Sequence, residues 1–178
     1  MRVISGKYRS LPLKALAGEE TRPTLEKVKQ AVFNHLGNLK GKTFLDLFAG
    51  SGAIGIEALS KDAKMVIFNE NNLAALRIIA RNLDFIKAEN SNFEIYRQSY
   101  DKLLKTTTDK FDYIYLDPPF ASDYFIKCLK LIAENNLLKT GGEIIIESED
   151  NEDLSNQWFK IRKTAKYGRI KITYLNKE

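Results

Sequence analysis

Two short stretches of this 178-residue chain hold residue types at spacings that can do chemistry. The first is Asp46-Leu-Phe-Ala-Gly50-Ser-Gly52-Ala-Ile-Gly55, a run of glycines behind a carboxylate. Glycines between a strand and a helix let the backbone approach a ligand closely, and the helix start offers unpaired N–H groups, so a nucleotide-like cofactor is implied. The spacing also fits a dinucleotide fingerprint, which keeps an NAD-dependent or flavin oxidoreductase open. Three features favour S-adenosylmethionine (SAM) instead. Asp46 stands in the turn before the glycines, where a carboxylate would repel a pyrophosphate but could hold a methionine ammonium, directly or through water. Glu70, at the end of the next apolar run, is placed to take both ribose hydroxyls. The chain also leaves little room for a separate dehydrogenase substrate domain. The second stretch is Asp117-Pro118-Pro119-Phe120. A carboxylate at Asp117 and a carbonyl at Pro118 that accept hydrogen bonds from an exocyclic amine would aim its lone pair and stabilise the charge that develops on it. The prolines fix the backbone, and Phe120 offers a face on which an extruded base could stack.

The elements that must position these residues follow a regular order. Residues 2–16 contain short β-prone pieces around Gly6 and Leu11 to Leu13, which predict a small hairpin or extended arm. Thr24 reads as the N-cap of a helix with Leu25, Val28, Val32 and Leu36 at helical spacing, ended by Gly37 and Gly41. From residue 42 strand and helix alternate: KTFLDLF, AIGIEALS, KMVIFNE, then a helix with Leu73, Leu76, Ile79, Ala80, Leu83 and Ile86 on one side. NFEIYR, the helical turn YDKLLK, FDYIYLD, SDYFIKCLKLIAENN and GGEIIIES continue the alternation, and the tail from Trp158 to Leu175 reads as two strands turning near Gly168. Alternating strands and helices predict an α/β fold with a mostly parallel sheet and right-handed crossovers, and the last hairpin adds an antiparallel edge. Ligands of such sheets bind beyond the carboxyl ends of the strands at the switch point, here between the first and fourth strands, so both motifs should open on one cleft.

Composition excludes several classes. Hydrophobic residues at 44% and charged residues at 29%, with only 4 Pro and 10 Gly, describe a globular chain rather than a disordered or fibrous one. No run approaches the ~18 apolar residues of a membrane span, and MRVISGKYRS lacks the apolar stretch of a secretory signal, which predicts a cytoplasmic protein. A single Cys128 and a single His35 offer neither an internal disulfide nor a Cys/His zinc cluster. The net charge of +5 divides unevenly: residues 1–42 carry +6, residues 43–159 carry −7 and residues 160–178 carry +6. Basic ends around an acidic middle point to a polyanion-binding surface. Alternation along the arm can present Arg2, Lys7, Arg9 and Lys14 on one face with Tyr8, a pattern suited to RNA. His35 reads as a helix-terminal surface group, Cys128 as core, and Trp158 as packing on the sheet.

The set DLFAGSGAIGIEAL, NEN and YLDPPF resembles the SAM-dependent methyltransferases that act on base amino groups. With the front MRVISGKYRSLPLK and TRPTLEKVKQAVFNHL, and the closing KYGRIKITYL, the whole chain is similar to the bacterial 16S ribosomal RNA guanine-N2 methyltransferases of the RsmD type. The resemblance implies a Rossmann-like class I methyltransferase: a seven-stranded, mostly parallel sheet with an antiparallel C-terminal hairpin and an N-terminal β-hairpin arm. It implies an RNA-contacting arm over residues 1–20 and a methyltransferase domain over 21–178. SAM would lie against Asp46, Ala49, Gly50, Ser51, Gly52 and Glu70, and the target amine at Asp117, Pro118, Pro119 and Phe120. Arg22 would join the arm cations on RNA, Thr24 would lie nearby, and no metal would be needed. The implied partner is 16S rRNA in the 30S subunit or an assembly intermediate, met by a monomer. One departure stands out: where such enzymes often carry an acidic residue for the adenine amino group, this chain reads Gln98-Ser99-Tyr100-Asp101. Either Ser99 takes that contact or Asp101 is displaced and backbone groups suffice. A DNA adenine-N6 methyltransferase shares the Asp-Pro-Pro-aromatic arrangement, but this chain lacks the extra residues such enzymes use to read a duplex.

Overall fold

The computed structural model describes residues 1–16, 23–118 and 123–177. A helix α1 (Pro23–Leu36) precedes β1 (Thr43–Asp46), α2 (Ala53–Ser60), β2 (Met65–Asn69), α3 (Leu73–Phe85), β3 (Phe93–Tyr96), α4 (Tyr100–Thr106), β4 (Phe111–Leu116), α5 (Asp123–Glu134) and β5 (Leu138–Glu149), and the hairpin β6 (Lys160–Tyr167) and β7 (Ile170–Asn176) closes the chain. One sheet holds all seven strands in the order β3-β2-β1-β4-β5-β7-β6. The pairs from β3 to β5 are parallel, whereas β7 runs antiparallel to both β5 and β6. Both expected features of the sheet are therefore present. The chain leaves β1 outward in one direction to β2 and returns on its other side with β4, so the switch point lies between β1 and β4.

Parallel strands covered on both faces read as unbroken apolar runs, and β1 does so because Phe44 and Leu45 point to opposite faces and are both fully buried. One face packs Phe44, Phe68, Tyr115 and Ile145 under α1, α2 and α3 through Val32, Ile56 and Ile79. The other packs Leu45, Ile114 and Ile146 under α4 and α5, with Cys128 fully buried and Trp158 partly buried against it. The stripe of α3 differs from the expected one: Ala75, Ile79, Asn82, Leu83 and Ile86 are buried, while Leu73 and Ala80 are exposed. Asn72 caps this helix by accepting from the N–H groups of Ala74 and Ala75, and at about 3.6 residues per turn the five buried positions fall on one side, with Leu73 and Ala80 opposite. α1 starts at Pro23, a residue suited to the first helical position, so Thr24 lies in the first turn rather than at the cap.

The arm is a narrower hairpin than two strands would make. Arg2 and Pro12 form a single antiparallel bridge, supported by Val3 N–H to Leu11 O at 3.0 Å and Leu13 N–H to Met1 O at 2.9 Å. The N–H groups of Arg9, Ser10 and Leu11 bond within the arm, to Gly6 O, Val3 O and Tyr8 O, and those of Ile4, Ser5, Lys7 and Tyr8 turn to α2. Ile4 and Ser5 donate to the Glu57 carboxylate at 3.0 and 2.7 Å, Lys7 to Ser60 O at 2.8 Å and Tyr8 to Ser60 Oγ at 2.9 Å. Gly6 is needed at this contact: its φ is +74°, and a Cβ there would lie 1.8 Å from Ser60 O. Val3 and Leu13 enter the core beside α1, so the arm is packed onto the domain.

Candidate active site

The glycine stretch becomes the link from β1 to α2. Its three glycines meet three separate demands. Gly50 has φ +53°, and the place of a Cβ on it is open space. Gly52, with φ +80°, opens α2 in the left-handed conformation. Gly55 passes so close to β2 that a Cβ would stand 2.2 Å from the Phe68 ring. Turn, ligand approach and helix–sheet packing are thus divided among them, as a nucleotide-binding loop requires. The loop is tied down by Leu47 N–H to Tyr115 O at 3.2 Å and by Ala49 N–H to Asn69 O at 2.9 Å. Ala49 and Ser51 are buried within it.

Asp46 is the last residue of β1 rather than part of the turn, and it is 2% exposed. Its carboxylate accepts the Gly55 N–H at 2.9 Å, while burial pushes its pKa up to about 7, with the nearby Glu70 charge adding to the rise. Glu70 follows β2 directly and spans the loop, with Oε2 accepting from Gly50 N–H and Oε1 from Asn72 N–H, each at 2.8 Å. Ser99 is exposed just before α4, and its hydroxyl donates to Asp101, whose carboxyl is held below its usual range chiefly by that bond. Asp101 sits in the first turn of α4, so the two candidates for the adenine contact are already paired with each other.

The second motif lies on the same rim. The register pairs Asp46 with Tyr115, so β1 and β4 end side by side and Asp117 emerges one residue beyond β4. Asp117 is exposed and Pro118 half-buried. Pro119, Phe120 and Arg22 lie outside the described residues. The arm cations Arg2, Lys7, Arg9 and Lys14 are all exposed; Arg2 approaches Glu26 at 3.7 Å and Lys7 approaches Asp62 at 3.8 Å. His35 lies in the last turn of α1, partnered by Glu143 at 3.0 Å and by the Tyr174 ring at 4.1 Å, away from this rim.

Three further groups stand at the rim, among them Asn69 of the NEN stretch and Phe48 of the glycine stretch, to which sequence alone assigns no role. Asn82, 2% exposed on α3, donates to Ser51 O and Lys14 O at 3.0 Å each and accepts from Lys14 N–H at 2.9 Å. One amide therefore joins the arm to the glycine loop. Asn69, at the end of β2, donates to Leu47 O at 3.1 Å, but its Oδ1 is buried and has no partner. A buried acceptor left open beside such a loop fits a ligand with a donor to offer. Phe48, Tyr100 and Tyr124 form a ring cluster, with centroids 5.6, 6.1 and 5.2 Å apart, joining the loop to the starts of α4 and α5. The sequence signal for Asn82 was an amide interrupting an apolar stripe, and for Asn69 its place at the head of NEN.

The chain matches the family described as Conserved hypothetical protein 95 over residues 1–176. It is 36% identical over 157 residues to ribosomal RNA small subunit methyltransferase D of Haemophilus influenzae, covering 86% of this chain and 81% of that protein. A crystal structure of a Haemophilus influenzae methylase superposes with a TM-score of 0.84 at 32% identity, covering 99% of this chain and 98% of that one. The same fold recurs, at 16% identity and a TM-score of 0.72, in a methyltransferase complexed with SAH; the match covers 87% of this chain and 50% of that one.

Proposed function

The chain belongs to the Conserved hypothetical protein 95 family as a methyltransferase of the RsmD type, and from that premise we propose that it transfers a methyl group from SAM to the exocyclic N2 amine of a guanine in 16S ribosomal RNA. The observation that carries this reading is the register of β1 with β4, which sets the glycine loop and Asp117 on one rim. The residues fit the cofactor: open space stands over Gly50, Asn69 Oδ1 awaits a donor, and Asp46 and Glu70 supply carboxylates on either side of the loop. SAM bound there would supply an electrophilic methyl on a sulfonium: the amine nitrogen bonds to that carbon as the neutral thioether leaves, and the cationic amine then gives up a proton to solvent. Asp117 and the Pro118 carbonyl accept the two amine hydrogens, which directs the nitrogen lone pair away from the base and toward the cofactor side of the rim. Proline at 118 removes an N–H and restricts the backbone, so these acceptors are set before the base arrives. The enzyme works as a monomer in the cytoplasm on the 30S subunit or an assembly intermediate, where the exposed arm cations meet phosphate.

Labelled SAM incubated with purified protein and 30S subunits from cells lacking the enzyme, followed by nucleoside analysis, tests the reading. Label in N2-methylguanosine is the expected result, and label in N6-methyladenosine would overturn it. Charge reversal of Arg2, Lys7 and Arg9 together should weaken rRNA binding about tenfold or more and flatten its salt dependence, because fewer counterions are released. SAM affinity, read by calorimetry, should stay within about twofold, since these side chains are exposed on the arm and Arg2 and Lys7 face Glu26 and Asp62 rather than the loop carboxylates.

The elevated pKa of Asp46 gives SAM binding a pH dependence of defined sign. Below about 7 the buried carboxyl holds its proton and offers no charge to an ammonium; above it the carboxylate is formed. SAM affinity should therefore rise up to about tenfold per unit from about pH 5.5 toward 7 and then level off, with proton release on binding. In Asp46→Asn the curve should be flat across that range. Equal slopes in the two proteins would assign the titration to another group.

A further inference from the structure

One carboxylate at the rim is used by neither motif. Glu147 lies near the end of β5, and the register of Leu116 with Ile146 carries it one step further, beside Asp117. It shares a face with Tyr115 and Ile145, the face on which α1 and the arm pack, because its antiparallel partner Ile172 belongs to that core. Glu147 is partly buried, and no cation among the described residues pairs with it. Its Oε2 accepts the hydroxyl of Tyr115, a phenol that is 1% exposed and feels the charges of Glu147, Asp117 and Asp46. A carboxylate held in this way has one oxygen fixed by a buried donor and the other left for a partner. Burial raises its pKa, and the Tyr115 bond opposes that rise by favouring the acceptor form. Sheet packing alone would be served better by an apolar residue, as in the flanking Ile145 and Ile146.

Guanine presents N1–H and N2–H donors side by side on its Watson–Crick edge, whereas adenine presents an N1 lone pair. Two neighbouring acceptors therefore match guanine and oppose adenine. We propose that Glu147, oriented by Tyr115, accepts the N1–H of the target guanine while Asp117 and Pro118 hold its N2 amine, so that this carboxylate selects guanine. The assignment rests on the guanine-N2 reading above. It also explains why an Asp-Pro-Pro loop of the kind that serves adenine N6 could serve a guanine here: the selection comes from β5 and not from the loop.

The test uses a ribosomal RNA fragment containing the guanine that the wild-type protein methylates, and the same fragment with 2-aminopurine at that position. 2-Aminopurine keeps the N2 amine but has a lone pair at N1. Wild-type protein should prefer guanine by about 30-fold or more in kcat/KM, because a site built around a donor rejects a base lacking it. In Glu147→Gln, whose amide can donate to that lone pair, the preference should shrink to about threefold or invert, and in Glu147→Ala it should also collapse. SAM affinity should change by less than about twofold in both. Competition binding of the two fragments reads the same ratio if a variant turns over too slowly. Loss of rate on both substrates with the ratio intact would give Glu147 a packing role and overturn the proposal. Wild-type protein that forms no N2-methylguanosine on 30S subunits would overturn the underlying reading, a result seen before any variant is made.

Discussion

Replacing Asp117 by alanine should lower the rate of methyl transfer by about 10²- to 10³-fold, the cost of removing one preorganised partner of a group that gains charge in the transition state. The exocyclic amine of a purine is a weak nucleophile because its lone pair is shared with the ring. A carboxylate that accepts hydrogen bonds from the amine turns its lone pair out of that conjugation and holds it harder as the nitrogen becomes cationic, so its removal should appear in kcat rather than in SAM binding. Asp117→Asn keeps one carbonyl acceptor without the charge and should fall between wild type and alanine. Asp117 is exposed at a strand end, so neither substitution opens a cavity, and stability should stay within about 0.5 kcal/mol. Single-turnover label transfer with SAM saturating separates the outcomes. A kcat within about threefold of wild type would remove Asp117 from the reacting centre.

The parts of the site that could be read from sequence are those whose cause is local. Gly50, Gly52 and Gly55 stand where a strand gives way to a helix, and each has its own steric reason, so the motif could be assigned from spacing alone. The switch point between β1 and β4 followed from strand order, which the unbroken apolar runs disclose. Boundaries were less legible. β5 begins at Leu138 rather than Gly141, because a register shift against Phe111 and Tyr113 and the positive φ of Gly141 let the chain rejoin the ladder. Buried polar partnerships were not legible at all. Asn82 reaches Lys14 across 68 positions, and Tyr115 reaches Glu147 across 32, so neither pattern leaves a mark at helical or strand spacing. Residues of this kind read as surface in sequence, and here they tie the loop, the arm and the rim together.

Glu57 is the strongest instance, and replacing it by alanine should have the largest effect on stability. It sits mid-helix in AIGIEALS, fully buried, with Lys29 of α1 at 3.2 Å and only 4% exposed. Burial holds the Lys29 ammonium below its usual pKa range, opposed by the charge of Glu57. Glu57→Ala leaves that ammonium without its counter-charge and strips the acceptor from Ile4 N–H, Ser5 N–H and Ser5 Oγ, so the cost should be about 3–5 kcal/mol. For a chain of this size that lowers Tm by roughly 10 °C. The two partners of this ion pair are not equivalent. In Lys29→Met the buried carboxylate loses its counter-charge and Arg2 O loses a 2.7 Å donor, but the carboxylate keeps its three arm donors, so a smaller cost of about 2–3 kcal/mol is expected. Denaturant unfolding of both variants measures the difference. Equal costs would mean that the charge pair holds the arm to α2; the expected excess for Glu57→Ala means that the arm's own backbone donors do, and that rRNA affinity should fall in step with arm undocking.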